Sequence, residues 1–167
     1  MFGFGKGRLE GLPDGIPRRV GDCLVDRLRP RDLIQVARLE AESFPEPLSF
    51  RALLRLWLMP VTHYIVIRKK RKVIAYIGFQ MFGPAAHTIS MCIHPDHRRR
   101  GLGKLIQQTA DGIAKGLGAY WFTGEVRVSN TAQIKMLEGL GWETVGVCPN
   151  FFKNGETAVV MWNRLCK

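Results

Sequence analysis

The sequence predicts an α/β protein built on one mixed β-sheet with helices on both of its faces. Strand-like apolar runs alternate with segments whose apolar residues recur at helical spacing, in the order β-α-α-β-β-β-α-β-α-β-β. The chain has 167 residues, which is the size of one domain and is long enough to bury a full core.

The N-terminal segment differs in composition from the rest of the chain. It has five glycines in its first fifteen positions, two prolines and several charges. Such a composition favours a loose segment. We therefore predict a loose leader over residues 1–21 and a single domain over residues 22–167, beginning with a short strand at Cys23.

Two helices are predicted after this first strand. The apolar residues of the first recur at helical spacing and are Leu33, Val36, Ala37, Ala41 and Phe44. Ser49 is placed to cap the second helix and Pro60 to end it. The apolar stripe of that second helix consists of Phe50, Leu53, Leu54, Trp57 and Leu58.

Three strands are predicted next, over residues 61–67, 73–79 and 86–93. The basic run 68–72 separates the first two. We interpret this run as a solvated hairpin turn, and a patch for RNA or the ribosome is the alternative.

The C-terminal part of the chain completes the pattern. A helix with inward Leu102, Ile106, Ile113 and Leu117 is followed by a strand over residues 120–126. Asn130 is expected to cap the next helix and Gly141 to stop it. The last two strands, over residues 142–147 and 157–162, are expected to form a hairpin.

Charge and cysteine usage limit the possible partners and the compartment. The net charge is +11 and the pI is about 10.0, which favours a phosphorylated cofactor, an acidic peptide or a nucleic-acid or ribosome surface. The four cysteines are scattered and form no Cys-x-x-Cys pair, so neither zinc nor a redox pair is indicated. With no apolar run of membrane-spanning length, we expect a cytoplasmic protein without membrane contact.

Residues 91–104 carry the strongest chemical signal. An apolar run ends in His-Pro-Asp, then three arginines and Gly-x-Gly precede a helical pattern. Basic side chains and bare amides at a helix N-terminus suit the phosphates of a nucleotide-like cofactor. The run lacks a Walker motif, and Ile106 stands where the dinucleotide fingerprint needs glycine. What remains is Arg98-x-x-Gly101-x-Gly103.

This motif resembles the coenzyme A pyrophosphate loop of the GCN5-related N-acetyltransferases (GNAT). Downstream, residues 124–130 and 140–142 resemble the Glu-Val-Arg-x-Ser-Asn and Leu-Gly-Phe segments of the RimI type, which acetylates protein N-termini. Residues 150–152 and 154–156 resemble that subfamily's Asn-Tyr-Tyr and acidic closing segments. The resemblance runs from about Ser90 to Trp162, nearly half of the chain.

The resemblance implies the GNAT fold, in which the strands ending near Ile93 and Glu125 splay apart and acetyl-CoA lies in the gap. No metal is expected. The pyrophosphate would lie over the glycine loop, while the peptide-like pantetheine arm pairs with the exposed strand edge. The residues expected to bind the cofactor are Met91, Cys92, Ile93, Arg98, Arg99, Arg100, Gly101, Leu102, Gly103, Lys104 and Asn130.

Glu125 matches the subfamily's catalytic glutamate. Acetyl transfer needs a neutral amine, and an α-amino group with a pKa of roughly 8 loses its proton more easily than lysine at about 10.4. A carboxylate beside the gap can remove that proton directly or through water. One departure is Leu137, which stands where the subfamily has its general-acid tyrosine, and the later tyrosine pair is Phe151-Phe152.

Two further groups are interpreted as structural. Cys92 is expected to be a small core residue rather than an acetyl carrier. The His94-Pro95-Asp96-His97 segment is expected to form a polar turn rather than a metal site.

The sequence thus predicts an acetyl-CoA-dependent N-acetyltransferase whose acceptor is a protein N-terminal α-amino group, ribosomal proteins included. A small amine or a protein lysine remains an alternative acceptor. A weakly catalytic, basic CoA-binding or ribosome-associated module is the alternative from another class. No specific nucleic-acid binding is expected. Acceptor identity, oligomeric state and the function of residues 1–21 and 68–72 stay open.

Overall fold

The computed structural model describes residues 15–166. Its strands are β1 (Arg18–Val20), β2 (Cys23–Arg27), β3 (Thr62–Lys69), β4 (Lys72–Phe82), β5 (Ala85–Ile93), β6 (Trp121–Arg127), β7 (Glu143–Cys148) and β8 (Ala158–Arg164). Its α-helices are α1 (Leu33–Ser43), α2 (Phe50–Leu58), α3 (Leu102–Gly116) and α4 (Thr131–Glu138). Short 3₁₀ turns cover Pro30–Asp32 and Pro95–His97. None of the helices in the described part of the chain is long and apolar enough to cross a membrane.

The strands form one sheet in the order β1-β2-β3-β4-β5-β6-β8-β7. Neighbouring strands are antiparallel except β5 and β6, which are parallel. The predicted single mixed sheet is therefore confirmed.

Helices cover both faces of the sheet, as predicted. Ile106, Ala110 and Ile113 of α3 pack with Leu137 of α4 on one face, called here the α3/α4 face. Leu33 and Val36 of α1 pack with Leu53 of α2 on the other, called the α1/α2 face.

The two predicted helix caps are confirmed. Ser49 Oγ accepts a hydrogen bond from the Ala52 amide at 3.2 Å. The Asn130 side chain accepts one from the Gln133 amide at 3.2 Å. Gly141 adopts a φ of +87°, a conformation that favours glycine, and turns the chain out of α4 into β7.

The structure differs from the prediction near the N-terminus. Arg18–Val20 lies within the predicted leader but forms β1, which pairs with β2, and Ile16 is buried. An isolated three-residue strand carries no sequence pattern of its own, because its partner strand supplies the hydrogen bonds. The rest of the predicted leader, residues 1–14, lies outside the described residues.

The basic run 68–72 divides into two parts. Lys70 and Arg71 are exposed at the turn between β3 and β4, as predicted. Arg68 is instead buried, with Nη1 2.9 Å from Asp26 and Nη2 paired with Asp32. These two carboxylates offset the free energy lost when the guanidinium is removed from water. They explain why Arg68 is not part of the solvated turn.

Candidate active site

The central parallel strands separate along their length. β5 and β6 pair only from Ala85–His87 to Trp121–Thr123. Beyond His87, the β6 side of β5 has no strand partner anywhere in residues 15–166. The expected splaying is therefore confirmed, and it leaves free backbone amides along the end of β5.

A β-bulge in β5 changes which side chains reach the α1/α2 face. Ser90 pairs with Gly78 and Thr88 with Phe79, so Ile89 is the extra residue. Ile89 packs in the α1/α2 core, and the Ser90 hydroxyl also points to this face, where it bonds to Glu40 of α1. Met91 and Ile93 pack on the α3/α4 face.

The glycine loop joins the end of β5 to the start of α3. Gly101 adopts a φ of +76° directly before the helix. A Cβ on Gly103 would lie 2.9 Å from Met136 Sδ and 3.5 Å from Met91 Cε, so glycine permits the close packing of α3, α4 and β5. The predicted residues Met91, Ile93 and Gly103 thus lie together at one end of the gap.

The three arginines of the loop have different surroundings. Arg98 Nε donates to the Ile93 carbonyl at 3.0 Å and ties the loop to the strand end. Arg99 has a φ of +58°, and Arg99, Arg100 and Lys104 are exposed around the first turn of α3. Exposed cations beside a helix N-terminus give this end of the gap a positive potential.

A cavity of about 360 Å³ adjoins the loop on the side away from the gap. It is lined by Asp22 and Cys23 of the β1–β2 region, Lys69, His97 and Arg100, together with apolar neighbours. Lys69 forms an ion pair with Asp22 at 2.7 Å. The cavity therefore lies outside the space between β5 and β6.

Alternate side chains of β6 project to the α1/α2 face beside the gap. Phe122 and Val126 point into the opposite core, so Thr123, Glu125 and Arg127 share this face. The Glu125 side chain is 21% exposed, which leaves its carboxylate reachable from the gap.

His87 contacts the Glu125 carboxylate from β5. Its Nε2 lies 3.2 Å from Glu125 Oε2, and its Nδ1 lies 2.8 Å from Thr123 Oγ1. The hydrogen bond that His87 donates to Glu125 raises the pKa of His87 above its ordinary value, although burial opposes this shift. Sequence reasoning missed His87, because the parallel pairing of β5 with β6 that brings it to Glu125 leaves no local pattern in the sequence.

The loop between β7 and β8 (residues 149–157) folds around Arg127. Arg127 Nη1 donates to Glu156 at 2.8 Å and to Asn154 at 3.1 Å. The guanidinium lies 3.8 Å from the ring centroid of Phe152. The two hydrogen bonds from Ser129 and Arg127 lower the pKa of Glu156 to about 2, so this carboxylate stays charged.

The loop between α1 and α2 (residues 44–49) reaches the same place from the other side. Glu46 accepts hydrogen bonds from the backbone amides of Lys153 at 3.3 Å and Asn154 at 3.0 Å. Its carboxylate also lies 3.7 Å from Arg127 Nη2. The two loops together cover the α1/α2 face next to Glu125. No sequence motif had indicated Glu46.

The remaining predicted residues have these positions. Leu137 is 3% exposed and packs in the α3/α4 core. Cys92 is buried, and burial raises its pKa to about 11, which suits a core thiol. Asn130 is exposed, and its side chain also donates to Gln133 at 2.9 Å.

The histidine segment forms a turn at the start of the glycine loop. His94 Nδ1 accepts from the Asp96 amide at 3.3 Å. Across the described residues, no group of three or more His, Cys, Asp or Glu is arranged to hold a metal ion.

Comparisons with known proteins agree with this geometry. The sequence profile of the acetyltransferase (GNAT) family matches residues 33–142. A Bacillus subtilis protein provisionally named ribosomal protein bS18-alanine N-acetyltransferase is 30% identical over 140 residues, covering 83% of this chain and 93% of its own. The N-alpha-acetyltransferase RimI of Mycobacterium tuberculosis is 27% identical over 139 residues, covering 78% and 85%.

Solved structures share the fold. The ribosomal-protein-S18-alanine N-acetyltransferase of Escherichia coli superposes with a TM-score of 0.80 at 22% identity, covering 87% of this chain and 95% of its own. The Salmonella typhimurium protein yncA, solved with its cofactor acetyl-CoA, superposes with a TM-score of 0.74 at 16% identity, covering 88% and 96%.

Proposed function

The chain belongs to the acetyltransferase (GNAT) family and is an acetyl-CoA-dependent N-acetyltransferase; we propose that its acceptor is the α-amino group of a protein N-terminus. A ribosomal protein is the leading candidate, because the B. subtilis relative is named for acetylating one. One observation carries the proposal more than any other. Glu125 is a reachable carboxylate beside the gap, held by His87, on the face that two loops cover.

The end of β5 and the start of α3 fit the coenzyme. Gly101 leaves the backbone bare where the phosphates would lie, and Gly103 lets the first turn of α3 pack closely against β5 and α4. Arg99, Arg100 and Lys104 supply positive charge. The amides of Met91 and Ile93 face away from β4 and are available to the pantetheine arm. We assign an amide at or next to Ile93 to hydrogen-bond the thioester oxygen as negative charge develops there.

Glu125 is the proposed general base. The carboxylate takes the proton from the amine, directly or through one water, as nitrogen attacks the thioester carbon. The carbon–sulfur bond then breaks, and the coenzyme sulfur takes a proton from water, because Leu137 offers none. An α-amino group with a pKa of roughly 8 suits a carboxylate base better than lysine at about 10.4.

His87 is proposed to orient Glu125. When both ring nitrogens carry protons, Nε2 donates to Glu125 and Nδ1 to Thr123 Oγ1, and the Thr123 hydroxyl faces the Ala86 carbonyl at 3.4 Å. This series of hydrogen bonds fixes the orientation of the His87 ring and hence that of the Glu125 carboxylate.

The acceptor is tested with matched peptides. Each peptide carries one internal lysine and either a free or a formylated N-terminus, and free small amines complete the panel. Mass spectrometry should locate the new acetyl group on the free N-terminus only. Acetylation of the formylated peptides at lysine, or of small amines alone, would refute the proposed acceptor. Acetyl-CoA binding without turnover across the panel would favour the CoA-binding module instead.

A cytoplasmic location belongs to the same proposal. The four cysteines are unpaired in the described structure, as expected in a reducing compartment. Location is tested by fractionating cells and probing the fractions for the protein.

A further inference from the structure

Glu40 is a carboxylate buried in the core of the α1/α2 face. Its residue is 1% exposed, on the helix that carries Leu33, Val36 and Leu39 into the same core. Its Oε2 accepts from the Leu48 amide at 2.7 Å, and its Oε1 accepts from Ser90 Oγ at 2.6 Å and from the Tyr76 hydroxyl. Burial raises the pKa of this carboxyl, although the hydrogen bonds from Ser90 and Leu48 oppose the shift.

Burying a carboxylate at this position lowers the stability of the folded protein. No lysine, arginine or histidine lies within 4.0 Å of Glu40 in an ion pair between described residues. Burying a carboxyl group without a cation costs free energy that an apolar side chain of similar size would not cost. Natural proteins keep such a buried, unpaired carboxyl group mainly where it serves a function.

The partners of Glu40 connect two parts of the candidate active site. Ser90 belongs to the bulged segment of β5 that borders the gap. Leu48 belongs to the α1–α2 loop, whose Glu46 reaches the β7–β8 loop and Arg127. Arg127 follows Glu125 by two residues on the same face of β6. Glu40 therefore links the strand beside the gap to the loop that covers the acceptor side.

We propose that Glu40 is a positioning residue that holds the α1–α2 loop against β5 and thereby shapes the wall on which the acceptor docks. This inference rests on the proposed function, since it assumes that the amine enters from the α1/α2 face. Glu40 does not touch the reacting atoms. It sets the affinity for the acceptor, while acetyl-CoA binds to the α3 end of the gap independently of it.

The test compares Glu40→Leu with Glu40→Gln. Leucine fills the site without accepting the Leu48 hydrogen bond, whereas glutamine keeps an acceptor oxygen. Glu40→Leu should raise the acceptor KM about tenfold or more, because small displacements of positioning groups have large kinetic effects. The acetyl-CoA KM should stay near that of the parent, whereas the melting temperature should fall because Ser90, Tyr76 and Leu48 lose their acceptor. Glu40→Gln should restore most of the acceptor affinity.

Tyr76→Phe is the matched control. It removes one donor to Glu40 but keeps the bonds to Ser90 and Leu48, so the acceptor KM should stay near that of the parent. Leu48→Pro is a second route to the same loss, since it removes the N–H donor and leaves Glu40 intact, although it also replaces a leucine side chain that packs on the α1/α2 core. It should reproduce the acceptor KM of Glu40→Leu even where the leucine variant folds poorly.

Hydrogen exchange separates this inference from the proposed acceptor. The Leu48 amide should be protected in the parent and exposed in Glu40→Leu, whatever the acceptor proves to be. If the parent acetylates lysines or small amines instead, the proposed acceptor fails, and the KM comparison is made with the amine it uses. Unchanged Leu48 protection in Glu40→Leu, or equal rises in both KM values, would overturn the function assigned to Glu40.

Discussion

At the scale of single residues, Glu125 combines exposure to the gap with a defined partner. Glu125→Gln keeps the shape and removes the proton acceptor, so turnover at neutral pH should fall about 10²–10⁴-fold. Affinity for acetyl-CoA, measured by calorimetry, should hardly change. Glu138→Gln, the same substitution at an exposed position on α4, is the control. Near-parental turnover in Glu125→Gln would remove this residue from the mechanism.

His87 and Glu125 should behave as one unit. His87→Gln should lower turnover less than Glu125→Gln, and the double variant should lose no more than Glu125→Gln alone, because coupled residues are not additive. An ordinary histidine has a pKa near 6.5, and the pKa of His87 is raised above that value. The parent's pH–rate profile should therefore have a step at a pH above the ordinary histidine pKa. That step should be absent from His87→Gln. Additive losses, or a profile shared by both proteins, would show that the two residues act separately.

Leu137 stands where the resemblance expects a phenol, but the side chain lies in the core. Leu137→Tyr adds a ring to a packed site, so we expect a loss of about 1–3 kcal/mol in the free energy of unfolding through overpacking. Faster turnover should not follow, since the new hydroxyl would lie among apolar side chains. Denaturant melts and kinetics of the same preparation check both statements. Faster turnover in a stable variant would instead identify position 137 as a vacated acid site.

At the scale of elements, the N-terminus of α3 is the proposed phosphate site. Gly103→Glu places a Cβ 2.9 Å from Met136 Sδ, which disturbs the packing of the first turn of α3, and adds negative charge beside the proposed phosphate site. Acetyl-CoA affinity should fall at least about tenfold, and the ligand-induced rise in melting temperature should disappear. Gly146→Glu, on the exposed strand β7 with open space around its Cβ, tests charge alone. Equal affinity in parent and Gly103→Glu would mean that the phosphates bind elsewhere.

Elements with their own local signals were predictable from the sequence. Ser49 and Asn130 cap helices because their side-chain oxygens accept hydrogen bonds from backbone amides three residues later. Both partners of each bond lie within four consecutive residues, so the local sequence predicts the contact. The glycine loop was predictable for the same reason. The strand β1 was not, since it exists only through its pairing with β2.

The contacts that build the acceptor side were also beyond sequence reasoning. Glu46 bonds to amides more than a hundred residues away, and Glu40 bonds to Ser90 fifty residues away. No local periodicity encodes such pairs. His87 meets Glu125 only because β5 and β6 run parallel and separate just beyond it. The base could thus be proposed from a motif, whereas its orienting partner required the fold.

At the scale of the whole molecule, one partly buried carboxyl should change how stability depends on pH. Asp111 of α3 accepts from Gln107 at 2.9 Å and lies near Trp142 and Asn163, which join α3 to the strands β7 and β8. Burial raises its pKa from 3.8 to about 6, although these three donors oppose the shift. The folded protein therefore binds this proton more tightly than the unfolded chain.

The sign of the effect follows from that difference. The contribution of Asp111 to stability is fully present below about pH 4, is lost as pH rises towards 6, and leaves a buried charge above it. Asp111→Asn cannot ionise, so its stability relative to the parent should rise as the pH increases from 4 to 6. At pH 7 the difference in the free energy of unfolding should have grown by about 1–3 kcal/mol. Gln107 can turn its amide to meet the new N–H₂ group. Denaturant melts of both proteins from pH 4 to 8 measure this difference, in which the other carboxylates cancel. A difference that stays constant across this range would show that Asp111 titrates as an ordinary surface carboxylate.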